Sequence, residues 1–205
     1  MANKFQNELL CVYLLIGTDK LKANTVLERL NKRLSEYGDM SLNSTSFDGE
    51  KALGAEIVSA CMQMPFASEK RSVVVKNADK LRKDDTEKII TYLESPNEAT
   101  VLTLICSKLA KSTRLYKACQ NISNTSIIDC AAPKKYLVAE TLNKVARSHG
   151  GGINLDAAKI LVDLVGEDTL KLDAEIQKLL LSNGGATISK EQVLQEVKKT
   201  SEVKP

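Results

Sequence analysis

The sequence contains no tryptophan, and aromatic residues make up only 4% of its 205 positions. The hydrophobic core must therefore consist mainly of aliphatic side chains. Long apolar runs are also missing: the longest, Leu9 to Ile16, is too short to cross a bilayer and lacks the small-residue cleavage pattern of a secretory signal. We interpret this run as a buried strand and expect a cytoplasmic protein with no membrane contact.

Cysteine occurs in an odd number and without any recognisable pairing. The five cysteines are widely separated, none forms a CxxC motif, and the chain has a single histidine, His149. A structural zinc site needs several thiolate or imidazole ligands at short spacings, so the sequence predicts no metal site. Reduced, buried thiols, which are typical of cytoplasmic proteins, explain the cysteines better.

Charge and length set only broad limits on function. A net charge of +3 permits contact with DNA or with an acidic protein but requires neither. The 43% hydrophobic and 27% charged residues are ordinary for a globular protein. A chain of this length suits two small domains better than one large domain.

The first two-thirds of the chain alternate predicted strands and helices. Buried or alternating apolar runs predict the strands, and apolar residues at helical spacing predict the helices between them. Strands separated by helices favour a parallel sheet with helices on both faces. The predicted strands are Leu9–Ile16, Ser41–Phe47, Val73–Val75, Thr100–Cys106 and Ser126–Asp129; the predicted helices are Leu21–Tyr37, Ala52–Met62, Asp84–Ser95 and Thr113–Gln120.

After Pro133 the pattern changes to helices alone. These helices are predicted over Tyr136–His149, Leu155–Val165, Thr169–Ser182 and Ser189–Val197. We therefore predict an α/β domain over residues 1–132 and a small all-helical domain over residues 133–205.

A phosphate-binding loop would follow the first strand, because backbone amides at a helix N-terminus can hold anionic oxygens there. At this place the chain has Gly17, Thr18, Asp19 and Lys20. The pattern GxxxxGK[ST] is missing: no second glycine follows, and neither Lys20 nor Lys22 precedes a serine or threonine. Asp19 would also put a carboxylate beside the phosphates. We predict a degenerate loop that binds no nucleotide, and we expect no cofactor.

A run of large apolar residues stands at the end of a predicted helix, just before a predicted strand. It comprises Met62, Gln63, Met64, Pro65 and Phe66. Pro65 disfavours helix at Met64, so the helix should end there. Methionine and phenylalanine are favoured anchors for a partner's hydrophobic pocket. The residues alone leave two interpretations open: a partner-binding surface, or an ordinary loop that folds its apolar side chains into the core.

A basic stretch follows the predicted strand Thr100–Cys106. Its four cations are Lys108, Lys111, Arg114 and Lys117. A run of this kind is typical of a solvated face, and contact with DNA phosphates is the alternative.

Several short motifs follow one another along nearly the whole chain. They are Val12–Asp19, Phe47–Gly49, Met64–Phe66, Arg71–Leu81, Tyr92–Pro96, Ile153–Ala158, Val165–Asp168 and Leu172–Leu179. In this order and spacing they resemble the delta subunit of the bacterial DNA polymerase III clamp loader, an AAA+-related family. The resemblance implies an AAA+-like parallel sheet flanked by helices and followed by a small all-helical lid domain.

The resemblance also implies a function. Delta subunits look like ATPase domains that have lost nucleotide binding, and they belong to the DNA polymerase III holoenzyme, a nucleotidyltransferase complex. They bind the ring-shaped sliding clamp and open one interface of the ring, so that it can be loaded on DNA for processive replication. We therefore expect no catalysis and no ATP hydrolysis by this chain alone.

The clamp-binding element of the family falls here on Met64, Pro65 and Phe66, with Met62 and Gln63 just before. Some relatives have a leucine where this sequence has Pro65. That substitution leaves open whether Met64 or Pro65 fills the pocket of the clamp.

The resemblance further implies three partners: the sliding clamp, the other clamp-loader subunits, and primer-template DNA in the assembled complex. Family members join the loader through a C-terminal helical collar domain, which we expect to be missing because the chain ends at Pro205. Two alternatives to the clamp-loader role are an ATP-using AAA+ module and a nucleic-acid-binding module.

Overall fold

The computed structural model describes residues 9–133 and 135–197. Within them the chain forms two compact units, one of residues 9–18 and 22–131 and the other of residues 19–21 and 132 onward. The division into domains of residues 1–132 and 133–205 stays a prediction.

The first unit is built on a five-stranded parallel sheet. Its strands are β1 (Val12–Ile16), β2 (Ser44–Asp48), β3 (Arg71–Lys76), β4 (Thr100–Cys106) and β5 (Ile127–Asp129). They lie in the order β2-β3-β4-β1-β5, so β4 is the middle strand, β3 and β1 flank it, and β2 and β5 form the edges. The central strands are apolar on both sides because helices cover both faces of the sheet.

Four helices connect these strands, and they confirm the predicted α/β class. They are α1 (Lys20–Leu34), α2 (Gly54–Met62), α3 (Lys83–Glu94) and α4 (Arg114–Ile122). On one face, buried residues of α2, α3 and α4 pack with Leu14 of β1 and Leu102 of β4. On the other face, Leu30 and Leu34 of α1 pack with Leu15 of β1. Alternate residues of one strand thus serve two separate hydrophobic clusters.

The second unit is helical apart from one very short strand pair. Its elements are α5 (Lys135–Ser148), β6 (Gly152–Ile153), α6 (Leu155–Val165), α7 (Thr169–Ser182), β7 (Thr187–Ile188) and α8 (Lys190–Glu196). The parallel pairing of β6 with β7 was not predicted, because two-residue strands have no periodicity in sequence. Among the described residues, no helix is both long and apolar enough to span a membrane.

The cysteine thiols provide a test of the first unit's packing. None of the five cysteines, all of which lie in the described part of the chain, forms a disulfide. Burial raises the pKa of Cys61, Cys106 and Cys119 to about 12 each. At pH 8 only about one thiol in ten thousand would then be the reactive thiolate. We expect a disulfide-exchange reagent to label these three residues in the native chain only as fast as the chain opens.

Peptide mass spectrometry after timed labelling measures this reactivity. The half-buried Cys11 should react faster than the three, although burial also raises the pKa of its thiol. All five should react at similar rates in denaturant. Rapid native labelling of Cys61, Cys106 or Cys119 would contradict the packing described.

Candidate partner-binding site

The apolar run predicted at the end of a helix forms an exposed corner between α2 and β3. We use "the corner" for residues 62–66. The side chains of Met62, Met64 and Phe66 are 59, 88 and 69% exposed. They do not fold back into the core, as the second interpretation of this run required. Large apolar side chains clustered in solvent are typical of a surface that a partner covers.

Helix α2 ends at Met62, and side chains at the start of β4 and just before it satisfy a carbonyl of its last turn. The carbonyl oxygen of Cys61 accepts hydrogen bonds from Nδ2 of Asn97 (3.0 Å) and from Oγ1 of Thr100 (2.7 Å). Gln63 then takes an extended backbone, with φ −67° and ψ 137°. The helix therefore ends three residues before Pro65, and the chain turns outward at the corner.

The side chain of Gln63 is hydrogen-bonded to a buried arginine. The Arg71 guanidinium donates from Nη1 to Oε1 of Gln63 (2.9 Å) and from Nη2 to Oγ1 of Thr45 (3.1 Å). Arg71 is 6% exposed, so these bonds partly replace the hydration that its charge has lost. The side-chain oxygen of Gln63 is thus already used within the chain, and its predicted contact with a partner stays a prediction.

The backbone of Phe66 is held by a buried asparagine that sequence reasoning missed. The Phe66 N–H donates to Oδ1 of Asn43 at 2.7 Å, and Nδ2 of Asn43 donates to the Phe66 carbonyl at 2.8 Å. The same Nδ2 also donates to the carbonyl of Asp39 at 2.7 Å. Asn43 is 1% exposed, so these bonds are shielded from water.

Further contacts join the chain after Phe66 to the segment that follows α1. Ala67 has a left-handed backbone, with φ 49°. Oγ of Ser68 donates to the Tyr37 carbonyl (3.0 Å), as does the N–H of Glu69 (3.1 Å). The corner is therefore anchored at both ends, with its apolar side chains pointing into solvent.

Grooves run along both sides of α2 and reach the corner. One lies between α2 and α3, has a volume of about 640 Å³, and includes Val58, Met62 and Tyr92 in its lining. The other lies between β2 and α2, has a volume of about 530 Å³, and includes Phe47 and Gln63. The exposed apolar surface thus extends beyond the corner itself.

The predicted degenerate loop after β1 is short. Only Gly17, Thr18 and Asp19 separate the end of β1 from the first residue of α1, Lys20. The N–H of Gly17 donates to the Cys106 carbonyl at 2.9 Å, so it does not point into a phosphate cradle. These features support the prediction that the loop holds no nucleotide.

We expect the chain neither to bind nor to hydrolyse ATP. A three-residue connection offers too few backbone amides to surround phosphates, and the lysine of a phosphate-binding loop is missing. Isothermal titration with Mg-ATP, together with a phosphate-release assay, measures both properties. Saturable, magnesium-dependent binding of ATP would contradict the prediction.

The four predicted phosphate contacts are all exposed. Lys108 and Lys111 lie in the loop between β4 and α4, and Arg114 and Lys117 lie on α4. Nη1 of Arg114 lies 2.6 Å from Oε2 of Glu87, so this cation already has a carboxylate partner. Surface ion pairs of this kind are weak, and DNA could displace the glutamate. Contact of these four residues with DNA stays a prediction.

Among the described residues, no group of three histidine, cysteine or carboxylate side chains could hold a metal ion. His149 nevertheless has a partner that its sequence context did not suggest. Its Nε2 lies 2.7 Å from Oδ1 of Asp173, and Nε2 of Gln177 donates to Oδ2 of the same aspartate at 2.9 Å. This cluster joins α7 to the residue that follows α5.

Comparison with known proteins places the chain in a family. The model of the family "DNA polymerase III, delta subunit" matches residues 13–131, which is more than half of the chain. The chain belongs to the DNA polymerase III delta subunit family. The match covers the corner, the short loop after β1 and the basic stretch, and it confirms the resemblance seen in the sequence motifs. No curated protein matches the chain.

Solved structures with the same fold include a delta protein. The Bacillus subtilis DNA clamp loader delta protein YqeN matches with a TM-score of 0.73 and 24% identity, over 95% of this chain and 60% of that one. The Thermotoga maritima RuvB Holliday junction branch migration motor matches with a TM-score of 0.54 and 13% identity, over 94% of this chain and 62% of that one. A T. maritima protein related to the DNA polymerase III gamma subunit matches with a TM-score of 0.52 and 14% identity, over 93% of this chain and 62% of that one.

These likenesses show the fold and confirm the AAA+-like architecture expected for the family. At such identities they do not by themselves carry function across. The chain spans about 60% of the length of the delta protein that it matches.

Proposed function

We propose that this chain works in a clamp loader as the subunit that binds the sliding clamp and opens its ring. Membership of the delta subunit family supports the clamp-loader role. The observation that carries the clamp-binding role is the exposure of Met64 and Phe66, at 88 and 69%, on a corner with a fixed backbone. Burying such side chains in a partner's pocket stabilises the complex, because apolar surface that is exposed in the unbound chain leaves water.

The two residues suit the role of anchors. Each can fill an apolar pocket, and anchors of this kind contribute about 2 kcal/mol or more each. Pro65 and the hydrogen bonds at Phe66 restrict the backbone between them, which reduces the entropy lost on docking. Pro65 is itself only half-exposed, whereas Met64 is nearly fully exposed. This difference favours Met64 over Pro65 as the residue that enters the pocket.

Ring opening follows if the corner binds the open clamp more tightly than the closed clamp. A ligand shifts a conformational equilibrium only by the difference between its affinities for the two states. The corner, together with the grooves beside α2, would then contact a surface that becomes complementary when the ring interface separates. No ATP chemistry in this chain is required for that step.

Contacts with other loader subunits and with primer-template DNA belong to the same proposal. For DNA, the exposed Lys108, Lys111 and Lys117 would contact phosphates, with Arg114 joining them if it leaves Glu87.

Titration of the purified chain with the sliding clamp of the same bacterium tests this function. We expect a saturable complex by calorimetry. In a clamp labelled with a donor and an acceptor fluorophore across one ring interface, we expect energy transfer to fall as the chain binds. A chain that does not bind the clamp, or that binds without any change in energy transfer, would refute the binding role or the opening role respectively.

A further inference from the structure

We propose that Asn43 is a positioning residue for clamp binding, because its side chain sets the conformation in which Phe66 is presented. This inference rests on the proposed function. Asn43 itself is 1% exposed and cannot touch a partner. Any effect that it has on binding must therefore pass through the backbone of Phe66.

The geometry supports this role. A side-chain amide can pair with one residue's backbone through both its oxygen and its nitrogen. Oδ1 of Asn43 accepts from the Phe66 N–H at 2.7 Å, and Nδ2 donates to the Phe66 carbonyl at 2.8 Å. Both polar backbone groups of Phe66 are thus satisfied by one buried residue, and the peptide planes on either side of its side chain are fixed.

A third hydrogen bond keeps the amide of Asn43 in place. Nδ2 also donates to the Asp39 carbonyl at 2.7 Å, and the backbone carbonyl of Asn43 accepts from the Ser72 N–H of β3 at 2.8 Å. The asparagine is therefore connected to β3, an interior strand of the sheet. The position of Phe66 relative to the sheet depends on this residue, while its side chain stays 69% exposed.

Asparagine is required because the site needs an acceptor and a donor together. Alanine at position 43 removes all three side-chain bonds. Aspartate keeps an acceptor for the Phe66 N–H but cannot donate to either carbonyl while ionised. In both variants Phe66 would exchange among several backbone conformations, and the clamp would bind only the fraction with the right one.

Asn143 of α5 offers a control in the second unit. Its side chain is half-buried, and its Nδ2 donates to the backbone carbonyl of Ile153 at 2.8 Å. This bond involves no residue of the corner or of its supports. Asn143→Ala should therefore lower stability without freeing Phe66.

The experiment measures clamp affinity, thermal stability and hydrogen exchange of the Phe66 amide in the full chain and its variants. We expect Asn43→Ala to weaken clamp binding about tenfold, which corresponds to about 1.4 kcal/mol. Exchange at the Phe66 amide should speed up by about tenfold or more. Asn43→Asp should weaken binding in the same direction, and Asn143→Ala should change both affinity and Phe66 exchange less than about twofold.

A double-mutant cycle separates this inference from the proposed function. If Asn43 acts through Phe66, Asn43→Ala should have almost no further effect on affinity in a chain that already carries Phe66→Ala. Phe66→Ala with unchanged affinity would refute the clamp-binding role of the corner. Phe66→Ala with weakened affinity, together with Asn43→Ala that behaves like Asn143→Ala, would overturn the positioning role alone. If the Asn43 variants lose their thermal unfolding transition, Asn43 serves folding and the inference is also overturned.

Discussion

Replacing Met64 and Phe66 together with alanine should abolish detectable clamp binding at micromolar concentrations. Phe66→Ala alone should weaken binding about thirtyfold, because the loss of an anchor costs about 2 kcal/mol and about 1.4 kcal/mol is tenfold in affinity. The single Met64→Ala change should have a similar effect if Met64 enters the pocket. Titration of each variant against the clamp, with a thermal melt of each, measures affinity and stability separately.

Stability should hardly change in these variants. Both side chains are mostly in solvent, so truncating them removes little buried area from the folded chain. A large fall in melting temperature would mean that the residues belong to the core after all.

Two exposed leucines in the second unit provide a matched control. Leu181 and Leu194 are 83 and 56% exposed, close to the values for Met64 and Phe66. Leu181→Ala combined with Leu194→Ala removes similar apolar surface from solvent elsewhere on the chain. We expect this variant to bind the clamp with unchanged affinity. An equal loss of clamp affinity in both double variants would show that binding depends on general surface hydrophobicity and not on the corner.

The sheet could be predicted because its strands have strong local patterns. The apolar run Thr100–Cys106 is β4 with the bounds predicted, and the helical spacing of Leu155–Val165 and Thr169–Ser182 gives α6 and α7 with theirs. The first strand is shorter than predicted, since its pairing with β4 begins only at Val12, after Leu9 and Leu10. Burial on both faces produces continuous apolar runs, which sequence shows directly.

The position of the corner could also be predicted, but the contacts that hold it could not. Pro65 and the apolar neighbours of Gln63 are visible in the sequence. The pairing of Asn43 with Phe66 joins residues 23 positions apart, and an asparagine in a loop has many equally plausible local partners. Arg71 likewise stands at the start of a strand, where nothing in the sequence indicates a buried guanidinium bonded to Gln63. Hydrogen bonds between residues far apart in the chain depend on the tertiary structure, and the spacing of residue types along the sequence does not reveal them.

Replacing Gly17 with alanine should destabilise the chain strongly without any effect on nucleotide binding. Gly17 has φ 144°, and a Cβ built there would lie 2.0 Å from both the carbonyl carbon and the oxygen of Cys130. The conflict is with backbone, so β5 must move away from β1, where the Cys130 N–H bonds to the Ile16 carbonyl at 2.6 Å. Overpacking and unfavourable backbone geometry together should cost about 3 kcal/mol.

A thermal melt of Gly17→Ala measures this cost, and we expect the midpoint to fall by about 6–12 °C for a chain of this size. The control is Gly184→Ala, where φ is +66° but no atom lies within 4 Å of the added Cβ. Gly184→Ala should lower the free energy of unfolding by only about 1 kcal/mol, because the positive φ alone disfavours the alanine. The difference between the two variants gives the combined cost of the contact with Cys130 and of the less accessible φ at Gly17. If Gly17→Ala instead left stability intact and reduced an affinity for ATP, this glycine would serve phosphate binding, as in active AAA+ proteins, and the loop after β1 would not be degenerate.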